Sequence, residues 1–384
     1  MVESLSGRQN ALRRVIPERI REAREARGMT AEDLGGALGV SRQAVSQYET
    51  GQTGPSSDVL SKIIALTDQP PSFFVRPRQR RSDGFSAPFW RSLKRMDQPA
   101  RMRIGRRLEW AADVVAYLEQ FVELPEIDLA DLQWDSARGD DDDIEEIALR
   151  VRKDWNLGLG PIIDLPAILE FHGCILIRER VDCEDMDAVS RWQSGRPFIL
   201  YSADVKSSPR VNYNLSHELG HLILHSGIEV NSENLPRIER QANRFAGAFL
   251  LPRTTFSSEV ISTSISYFKV LKQRWRVSIA AMIYRCRDLS ILNESQVKYL
   301  WRQMNMLGIK KVEPFDDAFE SPAPKVLRAS LEMLVSRGAQ VLDDIHQAIN
   351  LNPRDIESLV GVPEGWFSTG KVVPFTPRPR APLS

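Results

Sequence analysis

The stretch Tyr213–Gly227, YNLSHELGHLILHSG, spaces three histidines four residues apart in a chain that holds only five. Residues four apart share one face of an α-helix, so His217 and His221 can turn their imidazoles toward a single ion. Glu218 completes an H-E-x-x-H pattern. In that pattern the two histidines hold zinc, and the carboxylate takes a proton from water that the zinc makes more acidic. Catalytic zinc takes three protein ligands at about 2.0–2.1 Å and keeps a fourth position open. The motif therefore demands one more ligand from elsewhere.

His225 lies a further turn along. An unbroken helix rises about 1.5 Å per residue and sets His217 and His225 about 12 Å apart, so one ion cannot hold both. His225 is read as a packing or hydrogen-bonding residue. The better third ligand is Glu239, in RIERQANRFAGAFLLP, 18 residues after His221. Ala242, Phe245, Ala246 and Phe249 recur at helical spacing and bury this segment as a returning helix. Asn243, one turn beyond Glu239, can hydrogen-bond a ligand histidine. Gly220 leaves room for such a helix to approach. Tyr213 and Tyr201 are candidates for an oxyanion stabiliser, but each suits a core position as well. His172 and His346 read as ordinary surface or core histidines.

Here the residues carry a first resemblance. GPIIDLPAILEFHG, RVNYNLSHELGHLILH and ERQANRFAGAFLLP, in that order, resemble the ImmA/IrrE family of metallopeptidases over about residues 143–290. The resemblance implies zinc on His217, His221 and Glu239, with Glu218 as general base. Relatives often carry two glutamates before the alanine of the last segment. Here Gln241 stands at the second, which leaves Glu239 as the carboxylate ligand.

The front of the chain points to a polyanion. The chain has no net charge, yet residues 1–110 hold 20 Lys/Arg against 12 Asp/Glu, and the remainder holds 31 against 39. Four short helices are expected over residues 17–67. Pro17 opens the first and Gly28 stops it; Thr30 and Ser41 cap the next two, which end at Gly39 and Gly51. The second and third, joined by LGVS, form a helix-turn-helix signal. Ala44, Val45 and Tyr48 would face the core. Arg42, Gln43, Ser46 and Gln47 would face the major groove, where arginine reads guanine and glutamine reads adenine. The run GMTAEDLGGALGVSRQAVSQYETGQTGPS resembles the lambda-repressor-like (Xre-type) DNA-binding domain over about residues 15–70. That resemblance implies base contacts from the start of the third helix, a structural Arg24–Glu49 pair and a homodimer on an operator in double-stranded DNA. Ala31 replaces a phosphate-binding glutamine that many relatives carry.

The expected fold is multidomain and mainly α. An all-α helix-turn-helix domain occupies residues 1–75, followed by a basic linker and amphipathic helix over 76–140. A small α+β metallopeptidase domain is expected over 141–300, and a C-terminal helical region with a disordered proline-rich tail over 301–384. Cys174, Cys183 and Cys286 form no C-x-x-C pair, which argues against a disulfide scaffold and suits a reducing, cytoplasmic setting. No apolar run approaches the roughly 20 residues of a membrane span, and no signal peptide is expected. LNPRDIESLVGVPEGW has a helix-turn-helix cadence without basic readout residues.

Members of the peptidase family are similar in cutting helix-turn-helix repressors. The leading expectation is therefore a cytoplasmic, DNA-binding zinc endopeptidase that cleaves a repressor. The alternative is a DNA-binding repressor or antitoxin whose metallopeptidase-like domain only senses a ligand or dimerises.

Overall fold

The computed structural model describes residues 15–78, 96–129, 134, 136, 137, 139–180, 186–320, 322–336, 338 and 342–369. Most of the basic stretch 79–95, Cys183 and the proline-rich end 372–384 lie outside the described residues. The chain is mainly helical with one three-stranded sheet, and it divides into two compact units.

The first unit is Met1–Gln79, Glu109–Leu124 and Lys325–Ser384. It opens with α1 (Pro17–Ala26), α2 (Ala31–Leu38), α3 (Arg42–Thr50) and α4 (Ser57–Thr67). Their ends follow the local chemistry. Thr30 and Asp33 form a reciprocal capping box before α2, Ser41 caps α3, and Gly39 and Gly51 take left-handed conformations at the two C-termini. The turn is tight at Gly35, where a Cβ would lie 2.9 Å from the Val40 carbonyl oxygen. Arg24 binds Glu49 through two bonds of 2.5 and 2.9 Å, tying α1 to the end of α3.

The C-terminal helices α14 (Val326–Ser336), α15 (Leu342–Ile349), α16 (Pro353–Val360) and α17 (Trp366–Thr369) belong to the same unit. Arg27 donates to both Asp355 carboxylate oxygens at 2.8 Å, and Gln69 reaches the same group. Of the C-terminal region expected over 301–384, residues 325–384 group with the N-terminal helices in this unit and residues 301–324 fall in the second.

The second unit is Arg80–Leu108 with Pro125–Pro324. Residues of the long helix α5 (Gln98–Leu118) are divided between the two units. Then come α6 (Asp141–Asp154), α7 (Leu165–Phe171), β1 (Ile175–Glu179), β2 (Ala188–Gln193), β3 (Arg196–Ser202), α8 (Ser208–Leu224) and α9 (Leu235–Leu250). They are followed by α10 (Arg253–Glu259), α11 (Ile265–Trp275), α12 (Ile279–Asp288) and α13 (Glu294–Met306).

Strand order is β1-β3-β2, with β1 parallel and β2 antiparallel to β3. The β2–β3 hairpin turns at Ser194 and Gly195, both with positive φ, the sign a two-residue I′ turn requires. α8 lies against the sheet and against α9. The approach of these two helices is set at Gly220, where a Cβ would stand 3.1 Å from the Phe245 ring.

Behind α9 the core holds charge. Arg285 is fully buried and donates to both oxygens of Glu145 on α6 and to the Leu251 carbonyl at 2.9 Å. Arg244 on α9 reaches Glu145 at 2.8 Å. Burial alone would raise the Glu145 carboxyl, but Arg285's hydrogen bonds and charge, joined by Arg244, hold it below its ordinary value. A carboxyl depressed in the folded state adds stability above its unfolded pKa of about 4.3, and that stability is lost as pH falls toward the folded value. Glu145→Gln should therefore be less stable than wild type at neutral pH. The gap should shrink between about pH 5 and pH 3. Urea midpoints across that range check this, and a gap constant with pH would refute it.

Candidate metal centre and nucleic-acid interface

His217 and His221 extend from α8, and Glu239 extends from α9. Among the described residues these three form a group able to hold a metal ion. The two Nε2 atoms stand 3.0 Å apart; Glu239 Oε2 is 3.4 Å from His217 Nε2, and Oε1 is 3.6 Å from His221 Nε2. Two donors at about 2.0–2.1 Å from one tetrahedral ion lie roughly 3.3–3.4 Å apart. The three edges bracket that value, so the residues present fit zinc.

The protonation states also fit. Burial and the neighbouring His217 lower the His221 pKa, with Glu239 opposing, which favours the neutral ring. Burial would raise the Glu239 carboxyl, but the His217 and His221 rings outweigh it and hold the group well below the usual carboxylate range. Neutral imidazoles and an ionised carboxylate are the forms that bind metal.

Further contacts orient the donors. Asn243 Nδ2 donates to the Glu239 carbonyl at 2.8 Å, which turns its Oδ1 toward His217 Nδ1, 3.2 Å away. The proton of His217 then sits on Nδ1, and Nε2 presents its lone pair to the site. The Tyr213 hydroxyl also donates to Asn243 Oδ1. His225 is not among the converging donors. It is fully buried, with Nδ1 3.1 Å from His221 Nδ1 and Nε2 3.1 Å from Gln241 Oε1. Burial and the adjoining His221 push its pKa down to about 3.

Glu218 is buried beside this group, and Ser190 of β2 donates to its Oε2 at 2.6 Å. Ser190 belongs to no motif, and its bond to Glu218, 28 residues away, exists only in the folded chain. A cleft of about 770 Å³ adjoins the site through Glu239, lined also by Tyr213 and Asn243 and by Tyr284 and Arg287 of α12. Tyr201 is a core residue of the sheet. His172 stacks on Trp155 at 4.1 Å and bonds Asp128, and His346 lies beside Asp343 and Phe367. All three lie outside the metal-capable group.

In the first unit, Arg42, Gln43 and Ser46 are exposed on α3 and Gln47 is half-buried, while Val45 on the opposite side is fully buried. The helix thus presents one polar outer face, and its inner face is anchored by Val45 and Glu49.

Fold and site together define a class: a helix-turn-helix protein whose second unit carries a peptidase-type His-Glu-x-x-His helix. Comparison with known families bears on both parts. Residues 169–287 match a peptidase family described as the IrrE N-terminal-like domain, and residues 20–74 match the family described as helix-turn-helix. The chain joins these two domain types. A comparison with curated proteins finds no match. Among the described residues no helix is long and apolar enough to cross a membrane.

The donor geometry carries a direct expectation. Wild-type protein should take up one zinc per chain, and Glu239→Gln should bind it at least about tenfold more weakly. Competition against a chromophoric chelator measures this, and equal affinities would remove Glu239 from the site.

Proposed function

We propose that this chain is a DNA-binding regulator whose second domain is a zinc endopeptidase that cleaves a helix-turn-helix repressor. The observation that carries the reading is the convergence of His217, His221 and Glu239 beside Glu218, with Glu239 also lining a cleft large enough for a peptide segment. The three residues would hold the ion. When bound, zinc supplies a Lewis acid that sharpens the acidity of water and polarises a carbonyl oxygen.

The chain's own residues do the rest. Ser190 holds one Glu218 oxygen, so the carboxylate is oriented before substrate arrives and its second oxygen exchanges the proton. Asn243 keeps His217 in the ligating tautomer. Tyr213 and Tyr284 line the cleft and would contact a polypeptide lying in it beside Glu239. The repressor as substrate follows from the resemblance of the three sequence segments to the ImmA/IrrE peptidases.

On the DNA side, Arg42, Gln43, Ser46 and Gln47 would read base edges from α3. The exposed polar face of that helix supports this reading. Arg42→Ala should weaken binding to a selected operator by about 1–3 kcal/mol and leave nonspecific DNA binding nearly unchanged. Fluorescence anisotropy on both duplexes checks this, and an unaltered operator affinity would dismiss Arg42 as a reader.

Zinc-loaded wild type should cleave a co-expressed repressor at one bond, seen as two fragments by mass spectrometry. Glu218→Gln should bind zinc and DNA normally but cut at least about a hundredfold more slowly. Equal cleavage by the two proteins would exclude Glu218 as the base. Cleavage by neither would favour the ligand-sensing alternative.

A further inference from the structure

Gln241 and His225 lie one after the other behind His221, and both are almost wholly buried. Gln241 Nε2 donates to the Ser136 backbone carbonyl at 2.9 Å. A carbonyl oxygen only accepts, so this bond settles which way the amide points. Oε1 must then face His225 Nε2, 3.1 Å away. Resting on the metal-site reading above, we propose that Ser136, Gln241 and His225 form a directional hydrogen-bond relay that fixes His221 in the tautomer whose Nε2 faces the zinc.

Because Gln241 offers an acceptor, His225 carries its proton on Nε2. A neutral imidazole has one N–H, so His225 Nδ1 is a lone pair. It can only accept from His221 Nδ1, 3.1 Å away. His221 therefore holds its proton on Nδ1 and turns the Nε2 lone pair toward Glu239 and His217.

The reverse polarity fails at both ends. It would set Gln241 Oε1 against the Ser136 carbonyl, two acceptors face to face. It would also place a proton on His221 Nε2, which lies 3.0 Å from His217 Nε2 in the space the ion needs. Asn243 performs the same service for His217, so each ligand ring has its own amide. His225 and Gln241 are positioning residues, since neither lies among the converging donors.

The test reads proton positions directly. Long-range ¹H–¹⁵N correlation spectra of histidine-labelled full-length protein should show His225 protonated on Nε2, with and without zinc, and His221 protonated on Nδ1 in the zinc-loaded form. Zinc competition should show about tenfold or greater weakening in Gln241→Met, which removes the acceptor at similar volume. Gln241→Glu keeps an acceptor for His225 but sets its other carboxylate oxygen against the Ser136 carbonyl, so it should recover only part of the binding lost in Gln241→Met. His225 protonated on Nδ1, or Gln241→Met folded and binding zinc like wild type, would overturn the relay while leaving the metal site standing. A wild-type protein that takes up no zinc would overturn both. Should Gln241→Met fail to fold, the wild-type spectra alone decide the outcome.

Discussion

The contact between α8 and α9 at Gly220 governs the second unit. One helix brings two candidate metal donors together through its own periodicity, but a third donor can only arrive from outside, here from α9. With hydrogen at residue 220, the Phe245 ring comes into the place a side chain would otherwise occupy. Phe245 in turn stacks on Phe249 at 5.7 Å, so the face that makes the approach is itself rigid. Glu239, Asn243 and Gln241 all sit on the same helix. A shift of α9 would therefore move the carboxylate and both ring-orienting amides together, which is why the packing and the chemistry cannot be separated here.

That helix is held from its far side by charge as well as by apolar contact. Glu145 is shared by Arg285 and Arg244, and Arg152 donates to the carbonyls of Gly158, Gly160 and Phe249. Buried ion pairs add little net stability relative to a well-packed apolar core, but removing one partner leaves a costly uncompensated charge. Their directional bonds favour one register of α9 over its neighbours. A similar device closes the other side of the cleft. Glu313 accepts the first backbone N–H groups of α12 and pairs with the fully buried Lys272, fixing the helix that carries Tyr284 and Arg287.

Local chemistry was legible in the sequence and distant partnership was not. Thr30, Ser41, Gly39 and Gly51 mark helix ends because caps act within three or four residues. The i, i+4 histidines and the apolar stripe around Phe245 read for the same reason. Strand β2 carries no clear sequence signal, because Ser190, Arg191 and Gln193 are polar yet buried and break the alternation that marks strands. Their partners, among them Glu218, become visible only once the chain is folded. The C-terminal helices were readable as helices, but the bonds from Asp355 to Arg27 and Gln69 cross nearly the whole chain and leave no local trace. Gln241 is the instructive case. In the sequence it looked like a missing carboxylate, whereas in the structure its amide has a donor and an acceptor, each with a partner.

An amide in that place differs from a carboxylate in kind. A glutamate behind His225 would lend the relay a full negative charge and make the His221 ring a stronger electron donor, as carboxylate partners do for ligand histidines. An amide orients the same ring without that charge. Glu239, held below the usual carboxylate range, is then the negative group within the metal-capable set. This would leave the ion's attraction for a substrate carbonyl less screened by its ligands. Under the proposed reading, neutral Gln241 and Asn243 would set direction while Glu239 supplies charge, a division suited to a centre that holds a metal without quenching it.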